Sequence, residues 1–84
     1  MTPFDFALSG EATRTLLGCA RRQRRQAEHV LDLLVADPLK QPDFRERIPS
    51  GRDLAVLVVG DVVVTYWVDQ AEREVRVVRI EFVQ

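Results

Sequence analysis

One cysteine and one histidine are all that this chain offers to a soft metal. Cys19 alone cannot close a disulfide within the chain, and a thiolate zinc site needs several such ligands. His29 alone makes a histidine-based centre equally untenable. No metal site and no cofactor is therefore expected. No apolar run approaches the roughly 20 residues that cross a bilayer. The start, Met1-Thr2-Pro3-Phe4-Asp5-Phe6, has neither the basic opening nor the long apolar stretch of a secretory signal. The expectation is a cytoplasmic protein without membrane contact. An excess of positive charge is also missing. Lys and Arg number 12 against 13 Asp and Glu, a net charge of −1, whereas proteins that grip nucleic-acid phosphates are usually basic overall.

What remains is a folding composition: 46% hydrophobic and 30% charged residues, which places the chain among globular rather than disordered sequences. Its 84 residues suffice for one domain, 1–84, and no more. A core this small has to be efficient or shared with a partner.

Phe4, Phe6 and Leu8 alternate with Asp5 and Ala7, the period of a half-buried strand. Ser9 suits a helix N-cap, and Glu11 the first turn behind it. Ala12, Leu16 and Cys19 then recur at helical spacing, with Gly18 weakening the end. Ala27, Val30, Leu31 and Leu34 follow the i, i+3, i+4, i+7 rule and predict a second helix from Arg21 to Ala36, stopped by Asp37-Pro38. Residues 39–52 carry Pro42, Pro49 and Gly51 and read as a loop, or a loop with a helical turn. Three β-rich runs close the chain: 54–59, 62–68 after the turn Gly60-Asp61, and 75–83. Their short links predict an antiparallel meander. The expected fold is α+β in the order β-α-α-β-β-β, with two N-terminal helices on an antiparallel sheet.

This order, with its local wording, resembles the RelE/ParE superfamily of type II toxin–antitoxin toxins. The matching stretches are Phe6-Ala7-Leu8-Ser9-Gly10-Glu11-Ala12, Ala36-Asp37-Pro38-Leu39, the hairpin from Val59 to Asp69, and Val75-Arg76-Val77-Val78-Arg79-Ile80. They span nearly the whole chain. The resemblance implies a toxin, a role in plasmid stabilisation, and an antitoxin partner or a homodimer. By resemblance alone it also implies the ribosome and RNA, or gyrase, as targets.

Set on the family pattern, Val62 stands at a tyrosine position and Val63 at the key arginine position. Trp67 stands at a second arginine position, while Tyr66 is kept. Val56 and Val58 fall where arginines often alternate with apolar residues. The last strand ends Glu81-Phe82-Val83, where relatives end in a G-H-R or G-K-R type sequence. A ribosome-dependent RNase needs cations to stabilise developing charge and a group that transfers a proton. Val63, Phe82 and Val83 supply neither, so the resemblance implies a toxin-like protein without the RNase site, acting by protein binding. The alternatives are an active ribosome-associated endoribonuclease using the arginine cluster and Tyr66, and a non-toxic, self-associating remnant of the fold.

Strand parity sorts Val62, Val64, Tyr66 and Val68 onto one face of the sheet, and Val63, Thr65 and Trp67 onto the other. Both faces are apolar, although a sheet covered by helices on one side should be polar on the other. If the family arrangement holds, Val56, Val58, Val63 and Trp67 point from the face that would otherwise carry the catalytic site. Such a patch is expected to be covered by a partner segment or a second copy. Arg21, Arg22, Arg24 and Arg25 are the candidate nucleic-acid contacts, weighed against an ordinary solvated helix start. His29 and Cys19 read as ordinary helix residues, Tyr66 as a core tyrosine, and the acids Asp61, Asp69, Glu72, Glu74 and Glu81 as solvated turn groups. Arg76 and Arg79, three apart on one strand, are expected on opposite faces.

Overall fold

The computed structural model describes residues 3–83. Strand β1 (Asp5–Leu8) leads into helices α1 (Gly10–Gly18) and α2 (Arg21–Ala36), followed by strands β2 (Phe44–Arg47), β3 (Asp53–Val59), β4 (Val62–Asp69) and β5 (Glu74–Phe82). The expected α+β class is found, and α2 has the bounds that its spacing predicts. Two features go beyond the expectation. Residues 44–47, read as loop, form a fifth strand. The sheet is also mixed, with order β1-β5-β4-β3-β2, because β1 runs parallel to β5 while every other pair is antiparallel.

The apolar stripe of α2 explains the layering. Ala27, Val30, Leu31 and Leu34 are all buried, and they share one core with Leu57, Val62, Val64, Tyr66, Val75, Val77 and Ile80 of the sheet. Both helices therefore lie on one face, and the other face has no helix. Ser9 anchors the entry to α1. Its Oγ accepts the Ala12 N–H at 3.0 Å as an N-cap and donates to the Val78 carbonyl at 2.6 Å.

That second bond marks an irregularity with consequences. Across β4 and β5, Thr65 faces Arg79 but Tyr66 faces Val77, so Val78 has no opposite residue. This is a β-bulge, which bends the strand and reverses its side-chain parity beyond the extra residue. Arg76, opposite Trp67, and Arg79, opposite Thr65, consequently share the helix-free face. The expectation of opposite faces fails for this reason.

The turns follow their residues. Gly60 takes φ 58° in the two-residue turn between β3 and β4, the left-handed conformation that a tight hairpin favours at a glycine. Edge strand β2 is short and charged, which discourages pairing with other chains. Beyond it, the Asp43 carboxylate accepts the Val58 N–H at 2.7 Å and ends the ladder. Among the described residues, no helix is long and apolar enough to cross a membrane.

Candidate functional site

The helix-free face carries the candidate residues. Parity places Leu54, Val56 and Val58 of β3 there, since Ala55, Leu57 and Val59 turn to the core. Val58 stands opposite Val63, and Val56 opposite Thr65. Trp67 follows two residues along β4. The structure thus brings all four residues singled out in the sequence, Val56, Val58, Val63 and Trp67, onto one surface. Val58 is 39% exposed, and the other three are half-buried.

The patch is smaller than parity alone suggests, because charged side chains roof part of it. Arg79 reaches from β5 over β4 and β3 to Glu46 of β2 at 3.6 Å, and also holds Glu81 at 3.1 Å. Beneath this span, Thr65 is only 1% and Leu54 only 3% exposed, although no helix covers them. Arg76 pairs with Asp69 at 3.2 Å and Glu74 at 2.9 Å. Partly exposed pairs of this kind contribute modestly to stability, roughly 0–1 kcal/mol each. Their chemical effect is larger: Arg76 and Arg79, the two arginines that β5 contributes to this face, are already occupied by carboxylates. Asp69, Glu74 and Glu81 are therefore ion-pair partners rather than the solvated turn acids expected. Among the described residues no acid or histidine cluster could hold a metal.

Trp67 sits at the end of this face between two guanidinium groups, Arg52 at 3.8 Å and Arg76 at 5.6 Å from the ring centre. Such stacking is favourable and holds the ring in place. Beyond it opens a hollow of about 270 Å³ whose lining includes Lys40, Arg45, Arg52, Tyr66 and Trp67. Its cations were not among the sequence candidates. They stand in or beside the segment read as loop, and only the pairing of β2 with β3 brings them together.

Tyr66 is a core residue, as its alternation with Val64 and Val68 predicts. Burial pushes its phenol above the ordinary value of 10.0; nearby Arg45 pulls it back, and Asp43 pushes it up again. A raised phenol means that folding favours the neutral form. The Tyr66 contribution to stability is complete below pH 10.0 and declines as pH rises from there through the folded-state value. Tyr66→Phe is expected to remove this alkaline decline in urea unfolding. Because the chain has one tyrosine, an ultraviolet titration reads Tyr66 alone, and Arg45→Gln is expected to move its midpoint higher still.

The arginine cluster divides. Arg24 turns inward, its Nε–H donating to the Leu16 carbonyl at 3.0 Å and tying α2 to α1. Arg21, Arg22 and Arg25 are exposed. Arg22 borders a separate hollow with Asp61, Phe82 and Val83. Tyr66 lines the other hollow, so the structure does not bring it together with the cluster. His29 is exposed, and Cys19 stands half-buried at the α1 C-cap, its thiol near the Leu16 carbonyl at 3.4 Å.

No family model and no curated protein matches the chain. Solved structures do match its fold. A RelBE toxin–antitoxin complex from Mycobacterium tuberculosis aligns with TM-score 0.77 at 16% identity, over 96% of this chain and 99% of that one. The isolated RelE toxin of E. coli gives 0.71 at 13% identity, over 99% and 86%. An archaeal RelE–RelB complex from Pyrococcus horikoshii gives 0.69 at 16% identity, over 98% and 96%. The chain has a RelE-like fold.

Proposed function

We propose that the protein is a toxin-like component of a toxin–antitoxin pair that acts by binding protein and lacks ribosome-dependent RNase chemistry. One observation carries this reading. On the helix-free face, Val56, Val58, Val63 and Trp67 form the uncharged stripe, and the flanking cations Arg76 and Arg79 are engaged by four carboxylates. Phosphoryl chemistry needs free cations at the reacting phosphate and a proton-transfer group. Valines supply neither, and Glu46 and Glu81 beside them repel a phosphate. An apolar stripe ending in a fixed aromatic ring suits a polypeptide partner instead. The toxin–antitoxin complexes that share this fold make an antitoxin-like chain the first choice, with a second copy of this chain as the alternative.

The test begins with any short reading frame beside the gene. Expression of the toxin-like chain alone should arrest growth, and co-expression of its neighbour should restore growth and yield a soluble complex. Messenger RNA should stay intact at ribosomes throughout. Ribosome-dependent cleavage by the purified chain would overturn the proposal. A second reading rests on Arg22, which returns a guanidinium to the hollow at Phe82 and Val83. If RNA cleavage is found, Arg22→Gln should diminish it.

A further inference from the structure

The hollow beside Trp67 belongs to the other side of the sheet from the apolar stripe. Arg45 of β2 stands opposite Ala55 of β3, and Ala55 opposite Tyr66 of β4. Ala55 and Tyr66 pack toward the helices, so this row of three is on the helix-bearing face. Alanine keeps the middle of the row low, and the Tyr66 phenol lies within electrostatic reach of Arg45. Lys40, in the link after α2, and Arg52, just before β3, line the same hollow.

Two independent observations mark an anion site. The first is unpaired charge. Arg47, Arg76 and Arg79 all pair with carboxylates. Among the described residues, Lys40, Arg45 and Arg52 form no ion pair, yet all three line this one hollow. The acid in its lining, Asp53, is held by Arg47 at 3.1 Å, and nearby Asp43 accepts the Val58 N–H at 2.7 Å. Arg52 lies over the Trp67 ring at 3.8 Å, and a guanidinium held by its face still presents N–H groups at its edge. The second observation is an unpaired hydroxyl. Tyr66 is only 1% exposed, and among the described residues its Oη makes no hydrogen bond. No side-chain N or O sealed from solvent lacks a partner, so this hydroxyl opens through the part of Tyr66 that lines the hollow. Polar atoms at such depth ordinarily have a partner, and this one is left to an acceptor from outside the chain.

We infer that this hollow binds the terminal phosphate of a phosphomonoester, Lys40, Arg45 and Arg52 supplying charge and the Tyr66 hydroxyl a neutral donor. Charge and donor count select this group over a carboxylate. A phosphomonoester carries about −1.5 to −2 near pH 7 and offers three strong acceptor oxygens. Four donor groups around one space match that better than the single charge and two oxygens of a carboxylate. A chain-internal phosphodiester has one charge and a substituent on either side, so it cannot bring its oxygens down to a hydroxyl this deeply set. Pro38, Leu39 and Pro42 give the carbon atoms behind the phosphate an apolar wall. The inference is independent of the protein-binding reading, which concerns the opposite face.

Calorimetric titration of the intact protein tests this with phenyl phosphate, benzoate, diphenyl phosphate and a short single strand, with and without a 5′-phosphate. Phenyl phosphate should bind saturably, and benzoate and diphenyl phosphate about tenfold more weakly or worse. Arg45→Gln should weaken phenyl phosphate about tenfold, and Tyr66→Phe about fivefold. Arg14→Gln removes the same charge outside the hollow and should leave affinity unchanged. Circular dichroism checks each fold. A 5′-phosphorylated strand that binds more tightly than phenyl phosphate, while its unphosphorylated counterpart does not bind, supports the site and assigns its source to a strand end. The opposite preference supports it with a small phosphate ester as the source. Benzoate or the unphosphorylated strand binding as well as phenyl phosphate would overturn the inference. So would unchanged affinity in folded Arg45→Gln or Tyr66→Phe, or no saturable heat up to about 10 mM. None of these results bears on the stripe at Val63.

Discussion

Leu31→Ala is expected to lower the unfolding free energy by about 2–5 kcal/mol, because the cavity left at a fully buried leucine closes only in part. Leu31 is 0% exposed at the centre of the α2 stripe, between Ala27, Val30 and Leu34. Its partners belong to a twisted sheet whose position β1 and β3 constrain, so collapse around the vacancy is restricted. Small domains have roughly 0.05–0.15 kcal/mol of stability per residue, so one such loss is a large share of the total. Urea unfolding should show a lower midpoint with an unchanged slope. Leu33→Ala serves as the comparison: Leu33 is 39% exposed, and its loss should change stability by only about 0.5 kcal/mol or less. Similar losses at the two positions would contradict the placement of the core.

Val63→Arg should have the largest effect on partner capture, weakening it about a hundredfold, or about 2.7 kcal/mol. The reason is desolvation: an apolar partner surface laid over a guanidinium takes its water without returning equivalent bonds. The fold should tolerate the change, since Val63 is half-buried and Glu81 stands directly across the strand pair to receive the new cation. Affinity and thermal midpoint should therefore separate, the first falling while the second stays nearly constant. The same substitution restores the residue type that the RelE/ParE resemblance implies at this position. Cleavage should nonetheless remain absent, because Val56, Val58 and Val62 still provide no further cation and no proton-transfer group. Undiminished affinity for the partner would place the contact surface elsewhere.

Legibility in the sequence followed the range of the interactions involved. Helix α2 was readable from Ala27, Val30, Leu31 and Leu34 because a helix buries residues by local spacing. The hairpin of β3 and β4 was readable for the same reason, through its turn residues Gly60-Asp61, and its parity placed Val56, Val58, Val63 and Trp67 on one face. Strand β2 was hidden because only Phe44 in its four residues is apolar and all four are exposed; its strand character comes from pairing with β3. The parallel β1–β5 contact joins the two ends of the chain and leaves no local mark. The bulge at Val78 was likewise invisible, since it is set by Ser9 and by the register across β4. Regular strand parity without the bulge sets Arg76 and Arg79 on opposite faces and gives no sign of the Arg79 ion pairs over Thr65 and Leu54. The cations of the hollow have no sequence signature, because Lys40, Arg45 and Arg52 share no periodicity and meet only in three dimensions.

The placement of Tyr66 and Trp67 has a practical consequence. They are the only tyrosine and the only tryptophan in the chain, and both border the same hollow. The intrinsic near-ultraviolet signals of the molecule, apart from weak phenylalanine bands, therefore originate at a single spot. A ligand bound in that space is expected to shift the fluorescence of the unlabelled protein, which makes binding there readable without a label.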